Sequence, residues 1–249
     1  KNIKIITSQT DHSIGKELYN LKPDCVSEWY STNVNYSQRN LKPIPLGLAN
    51  HYSPKNLFKN SYSELTGDIQ KINKLYLNFE VNTNYFHRNK LKNKLKNKGF
   101  VISDNMNSNI DTYLANLNKY KFILCPWGNG LDTHRIWETI YAGPIPIIPR
   151  HSLFLSIFDS DIFLFDRVSD IEKKIDNINR NESVLKNNKI LNMDHWSKKI
   201  NETIYDKPKI KNKFINVDLQ DVYLNYSKLK LHEQKFKRKE TIKRKVHNK

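Results

Sequence analysis

Residues 122–149, FILCPWGNGLDTHRIWETIYAGPIPIIP, constrain the fold more than any other stretch of the chain. Phe122, Ile123 and Leu124 form an apolar run that must end before Pro126, because proline has no N–H to give to a sheet ladder. Trp127, Gly128, Asn129 and Gly130 then make a loop in which the glycines permit backbone angles and close approaches that a side chain would forbid. Asp132 or Thr133 is placed to cap a helix running through Glu138 to Ala142, which Gly143 closes before Ile145 to Ile148 restart as a buried strand. Strand, loop, helix and strand in this order are half of a doubly wound parallel sheet. In such sheets ligands bind at the carboxyl ends of the strands, where this glycine loop lies.

The rest of the chain reads the same way. Ile3 to Thr7 is a strand, followed by a polar turn carrying Asp11 and His12 and a short helix to about Leu21. Val26, Trp29, Tyr30 and Val34 mark an apolar segment, and Ile44 to Leu48 reads as a second short strand. Pro54 to Gly67 is polar and turn-rich, so the first lobe spans residues 1–67. The second lobe, 68–183, alternates strands at Leu75 to Val81, Phe100 to Ser103, Phe122 to Leu124, Ile145 to Ile148 and Ile162 to Phe165 with helices at Phe86 to Lys98, Ile110 to Asn118 and Val168 to Ile178. That alternation requires a parallel sheet and an α/β fold. Residues 184–249 hold a helix from Val184 to Ile204, placed to cross back to the first lobe, and a basic tail.

Composition sets the outer limits. A hydrophobic content of 38% and 11% aromatics belong to a globular chain, and no apolar run approaches the ~20 residues needed to span a bilayer. Cys25 and Cys125 sit far apart with no metal-ligand spacing, and a free cysteine ending a buried strand behaves as a small apolar residue. The formal charge of +17 points to a polyanionic or phosphate-bearing partner. Lys90, Lys92, Lys94, Lys96 and Lys98 punctuate one segment. Lys235, Lys237, Arg238, Lys239, Lys243, Arg244 and Lys245 crowd the carboxyl end, where Phe236, Ile242 and Val246 allow a basic amphipathic helix against an anionic membrane. A cytoplasmic chain with peripheral membrane contact fits this pattern, and a solvated tail is the plainer reading of the same residues.

Two loops at the carboxyl edge of the second sheet gather the polar residues that could act. Asn78, Thr83 and Arg88 follow one strand; Asn129, Asp132, Thr133, His134, Arg135 and Glu138 follow another. A glycine turn opening into a helix presents free N–H groups that favour phosphate. Arg135 in the first helical turn opposes the dipole unless an anion is present. Glu138, three residues on, could pair with Arg135 as a structural ion pair or accept hydrogen bonds from a sugar hydroxyl.

GNGLDTHRIWETIYAGPIPII resembles the donor-binding segment of the exostosin-like glycosyltransferases (glycosyltransferase family 47 and its bacterial and viral relatives). YLNFEVNTNYFHR is similar to the opening of their second lobe, and WYSTNVNY with IPLGL to the end of their first. Together these cover about residues 25 to 150. The resemblance implies a GT-B architecture: two Rossmann-like lobes with parallel sheets facing a cleft, the first lobe here being small. It implies a nucleoside diphosphate sugar donor, a UDP-sugar favoured over a GDP-sugar, held by Asn78, Thr83, Arg88, Asn129, Gly130, Asp132, Thr133, His134 and Arg135, with Glu138 on the donor ribose. Arg88 and Arg135 would neutralise the diphosphate without a metal. The earlier glutamate of the retaining enzymes' pattern is replaced by Gly130, which favours inversion. Asp11 and His12 are then the candidate bases, with Glu28 behind them, acting on a glycan hydroxyl. The other reading is a nucleic-acid or polyanion-binding α/β protein without catalysis, which the charge suggests but no recognised nucleic-acid motif supports.

Overall fold

The computed structural model describes residues 3–8, 10–49, 62, 70–104, 110–161, 163–180 and 189–201. Strands β1 (Ile3–Thr7), β2 (Val26–Ser31) and β3 (Leu41–Pro43) form a parallel sheet in that order, with the short helix α1 (Lys16–Tyr19) between the first two in sequence. The central strand carries Glu28, buried at 5% exposure. It is tolerated there because Lys4 of β1 and Lys42 of β3 bring their Nζ atoms to 3.2 and 2.7 Å of its carboxylate. Burial works against the charge, but the hydrogen bonds from Lys42 and Lys4 prevail and hold its pKa below the usual value.

The segment Ile44 to Leu48, expected as a strand, is not one. The ladder ends at Pro43, and Pro45 has no N–H to prolong it. Its backbone polar groups turn instead toward the second lobe: Leu46 N donates to Asp132 Oδ2 at 2.8 Å, and Gly47 O meets His134 Nδ1 at 2.8 Å. The second and third strands of this sheet are instead β2, in the Val26 to Val34 segment, and β3, which ends just before Ile44.

The second sheet has five parallel strands: β4 (Ile72–Leu77), β5 (Val101–Ser103), β6 (Tyr120–Leu124), β7 (Ile145–Pro149) and β8 (Leu164–Phe165), in the order β5-β4-β6-β7-β8. Alternate residues face opposite ways along each strand. Leu75, Leu77, Phe122, Leu124, Ile145 and Ile147 pack against Leu91 and Leu95 of α2 (Tyr85–Leu95) and against Ile171, Ile175 and Ile178 of α6 (Ile171–Arg180). Tyr76, Ile123, Cys125 and Ile148 face the other way. There they meet α3 (Ile110–Lys119), α4 (His134–Tyr141), α5 (Ser152–Phe158) and α7 (Met193–Asn201) through Leu117, Trp137, Phe154 and Trp196. Trp29, Val34 and Leu41 of the first lobe belong to this same apolar cluster, so one core joins both sheets.

The strand expected over Leu75 to Val81 ends at Leu77, where its ladder partners Ser103 and Ile123 run out, and Asn78 to Val81 become loop. The long helix expected over Val184 to Ile204 is not continuous in its described part. A 3-10 turn, Lys189–Leu191, precedes α7, and Asn192 separates them by accepting the N–H of Asp194 on its Oδ1 at 2.8 Å, a side-chain cap. α7 does reach the first lobe, where Lys4 Nζ donates to the carbonyl of Ile200. The expected lobe boundary at residue 67 and the basic tail lie outside the described residues. Among the described residues no helix is long and apolar enough to cross a membrane.

Candidate functional site

In the order β5-β4-β6-β7-β8 the chain direction of construction reverses between β4 and β6. A crevice must open at the carboxyl ends of that pair, because the loops after the two strands leave toward opposite faces of the sheet. A cleft of about 470 Å³ lies there. The loop after β4 supplies Phe79, Glu80 and Thr83, α2 supplies Arg88, and the glycine loop after β6 supplies Pro126 and Gly128. The opposite wall comes from the first lobe through Thr10, Asp11 and Leu46.

Arg88 is the strongest electrostatic feature of the cleft. It is 9% exposed, and its Nε and Nη1 donate to the carbonyls of Trp127 at 2.8 Å and Glu80 at 2.7 Å, with a longer bond from Nη2 to Pro126 O at 3.4 Å. These are neutral acceptors. Among the described residues no carboxylate forms an ion pair with it, and burial together with the charge of Arg135 lowers its pKa to about 10. The guanidinium therefore stays charged at neutral pH, with N–H groups to spare. Gly128 makes room for it: a Cβ on Gly128 would lie 3.1 Å from Arg88 Nη2 and 3.3 Å from Thr133 Cγ2.

Thr83 and Thr133 stand on this wall with buried hydroxyls that have no hydrogen-bond partner. Thr133 occupies the N-cap position of α4, yet its side chain makes no capping bond. Two unsatisfied hydroxyls thus share the cleft with a guanidinium that is hydrogen-bonded only to neutral carbonyls.

The next residues of the loop are held differently. Asp132 is 1% exposed; its Oδ1 accepts from Trp137 Nε1 at 2.9 Å and its Oδ2 from Leu46 N. Burial pushes its pKa up to about 7, against these donors and the backbone N–H of Thr133. Asn33, at the carboxyl end of β2, adopts φ +55° and threads its fully buried side chain between the lobes. Its Nδ2 donates to Thr10 O at 2.6 Å and its Oδ1 accepts from Asp132 N at 2.7 Å. A Cβ on Gly130 would fall 2.7 Å from Asn33 Nδ2, so the glycine here is required by a protein side chain. His134 bonds the Gly47 carbonyl through Nδ1, which must then carry the hydrogen.

Arg135 lines the cleft with its guanidinium over the Tyr113 ring, 4.9 Å from the centroid. Burial disfavours its charge, but Tyr113 and Glu138 more than offset this and raise its pKa. Glu138 is fully buried and accepts a hydrogen bond from the Tyr113 hydroxyl. It lies behind Arg135 rather than on the cleft wall. Across the cleft, Asp11 is exposed and accepts a long hydrogen bond from Asn129 Nδ2 at 3.4 Å.

Of the residues singled out in the sequence, the cleft brings together Asp11, Thr83, Arg88, Asn129, Gly130, Asp132, Thr133, His134 and Arg135, and leaves His12, Asn78 and Glu138 off its lining. Asn78 is buried and donates to the Tyr76 hydroxyl at 2.8 Å. Glu28 is committed to its lysines. Sequence reasoning did not find Thr10, Asn33 or Glu80; locating β2 would have placed Asn33 at the carboxyl edge of the first sheet. Cys125 is buried, its thiol pushed up to about 12 by burial, which fits a packing role. Among the described residues no group of His, Cys, Asp and Glu could hold a metal ion.

The chain matches no family model. It is similar to a protein of Arabidopsis thaliana described as a probable glycosyltransferase, with 27% identity over 117 residues. That alignment covers 46% of this chain and 24% of the plant protein, so the chain spans about a quarter of the relative's length.

Proposed function

We propose that the chain is a glycosyltransferase of exostosin-like, GT-B type, which takes a nucleoside diphosphate sugar in the interlobe cleft and transfers the sugar, with inversion, to a glycan hydroxyl. The observation that carries this reading is the pairing of Arg88, charged and without a carboxylate partner, with the unsatisfied hydroxyls of Thr83 and Thr133 at the switch point of the sheet. A diphosphate supplies the acceptors that this wall lacks. The similarity to a plant protein described as a glycosyltransferase supports the same class.

In this reading Asp11 is the base, because it is the carboxylate that reaches the cleft from the first lobe, with Asn129 orienting it. It takes the acceptor hydroxyl proton as the new C–O bond forms on the face of the sugar opposite the departing diphosphate, whose growing charge falls on Arg88 and Arg135. Glu138 acts through Arg135; direct contact with a ribose would displace the Tyr113 hydroxyl from it.

A thermal-shift titration with UDP, GDP, CDP and their sugars tests the donor side. A ligand at 100 times its dissociation constant stabilises by about 2.7 kcal/mol, and Arg88→Gln should abolish that gain. Asp11→Asn should remove transfer and leave donor affinity unchanged, whereas His12→Ala should change neither transfer nor donor affinity. Donor binding without turnover on any glycan would instead favour the non-catalytic polyanion-binding reading.

A further inference from the structure

Trp127 turns its side chain away from the interlobe cleft into a second recess of about 670 Å³, to which no residue of the first sheet contributes. α2 and the turn after it line one side with Lys90, Lys94 and Lys98; the loops after β7 and β8 line the other with Arg150 and Arg167. Lys90 and Lys94, four apart on the helix, lie about 6 Å from one another along one face, and Lys98 follows beyond the helix end on the same lining. The arginines opposite are already engaged. Arg150 holds Asp161 at 3.1 Å and Asp166 at 2.8 Å, and Arg167 lies 3.9 Å from Asp170. No carboxylate among the described residues pairs with the three lysines.

The wall of this recess carries a second signal. The Trp127 and His87 rings stack with centroids 5.0 Å apart and planes at 13°. Trp127 Nε1 and His87 Nε2 are both buried without a hydrogen-bond partner. An indole nitrogen can only donate, and a buried N–H with no acceptor is rare enough to need a reason. Burial and the charges of Arg88 and Lys90 lower the pKa of His87, so its ring is neutral at pH 7.

We propose that this recess is a second anion site, separate from the interlobe cleft, that takes a phosphate-bearing ligand. Lys90, Lys94 and Lys98 supply the charge, and the buried Trp127 Nε1 and His87 Nε2, the latter in the tautomer that protonates it, become donors to the phosphate oxygens when the stacked rings turn to uncover them. A row of ammonium groups suits a multiply charged oxyanion better than a single planar carboxylate, which arginine would grip bidentately. The two sites share a wall. His87 and Arg88 are consecutive on α2, and the carbonyl of Trp127 accepts from Arg88 Nε, so a ligand that shifts the stack shifts the cationic centre of the cleft.

Calorimetric titration of the full chain with inorganic pyrophosphate at low salt tests this. Two classes of site are expected. Lys90→Ala/Lys94→Ala/Lys98→Ala, all exposed positions, should weaken one class by about tenfold or more, as the loss of several surface charges near a phosphate allows. Trp127→Phe, which keeps a ring in the stack but removes the N–H, should weaken the same class by several-fold. Thr83→Val/Thr133→Val should weaken only the other. Vesicles of phosphatidylcholine with and without phosphatidic acid distinguish the source of the phosphate: loss of phosphatidic acid binding in the lysine variant, with no second pyrophosphate site, assigns the recess to a lipid headgroup. A single class of site for pyrophosphate together with unchanged vesicle binding in the lysine variant overturns the proposal.

Discussion

The cleft has two kinds of wall, built from neighbouring residues of one loop and the helix facing it. Gly130 and Asp132 direct their contacts at the first lobe: Asn33 occupies the space beside Gly130, and the Asp132 carboxylate is divided between Leu46 N and Trp137 Nε1. Thr83 and Thr133 keep hydroxyls without a partner among the described residues, and Arg88 bonds only neutral carbonyls. Asp132 and Thr133 are adjacent in sequence and look alike as candidates for a ligand site. The difference between them is that Asp132 is spent on joining the two sheets, whereas Thr133 keeps a buried hydroxyl without a partner, the group that the proposed donor would use.

The sharpest way to break this comparison is Asp132→Ala. It leaves the Leu46 and Trp137 N–H groups without an acceptor in a buried place, which should cost about 3 kcal/mol and lower Tm by roughly 6 to 12 °C for a chain of this size. Differential scanning calorimetry gives the answer. An unchanged Tm with weaker donor binding would make Asp132 a ligand residue and erase the distinction.

Gly130→Ala comes next. Its new methyl would meet Asn33 Nδ2, Oδ1 and Cγ at 2.7, 2.8 and 2.9 Å, and the side chain cannot retreat without losing its bonds to Thr10 and Asp132. A loss of about 2 kcal/mol is expected. Combining it with Asn33→Ala should cost less than the sum of the two by at least about 1 kcal/mol, since the clash and the bonds share one side chain. Additive losses in a urea titration would mean that Gly130 serves something other than Asn33.

Asp132 also predicts a pH dependence. Its folded pKa of about 7 stands above an unfolded value near 3.9, so the folded state holds the proton longer. Its contribution to stability is therefore complete below about pH 4 and is lost as pH rises through about 7. Relative to Asp132→Asn, the native chain should lose stability across that window by at most about 1.4 kcal/mol per pH unit. Glu28 works in the other direction: its lowered pKa adds stability above the normal carboxylate range and is lost on acidification, so only the difference between the two chains isolates Asp132.

The parallel second sheet was legible because its strands are runs of apolar residues separated by helical periodicity, and the glycine loop with its proline stop marked the site within it. The first lobe was harder to read. β2 carries Glu28 in its middle, and a charged residue in a central strand breaks the apolar pattern unless one knows that Lys4 and Lys42 lie on either side. Ile44 to Leu48 erred the other way, apolar enough for a strand but committed by Pro43 and Pro45 to meeting Asp132 and His134. Within the site the residue types were visible and their partners were not. Glu138 and Arg135 stand three apart in sequence, but it took Tyr113, 25 residues before Glu138 and on another helix, to bury the one behind the other.

The smallest effect on stability is the most telling about function. Thr83→Val and Thr133→Val replace a buried hydroxyl that has no partner with a methyl of nearly the same shape. Removing an unsatisfied polar group from a buried position relieves its desolvation, so each change should leave folding stability unchanged or raise it by less than about 1 kcal/mol. Nucleoside diphosphate affinity should fall by about three- to tenfold for each, the worth of one net hydrogen bond. Residues kept for packing lose stability when altered, whereas residues kept for a ligand lose only the ligand. Calorimetric titration of the two valine variants beside Asp132→Ala would therefore place each wall of the cleft on one side of that line, and a fall in Tm at Thr83 or Thr133 would move it to the other.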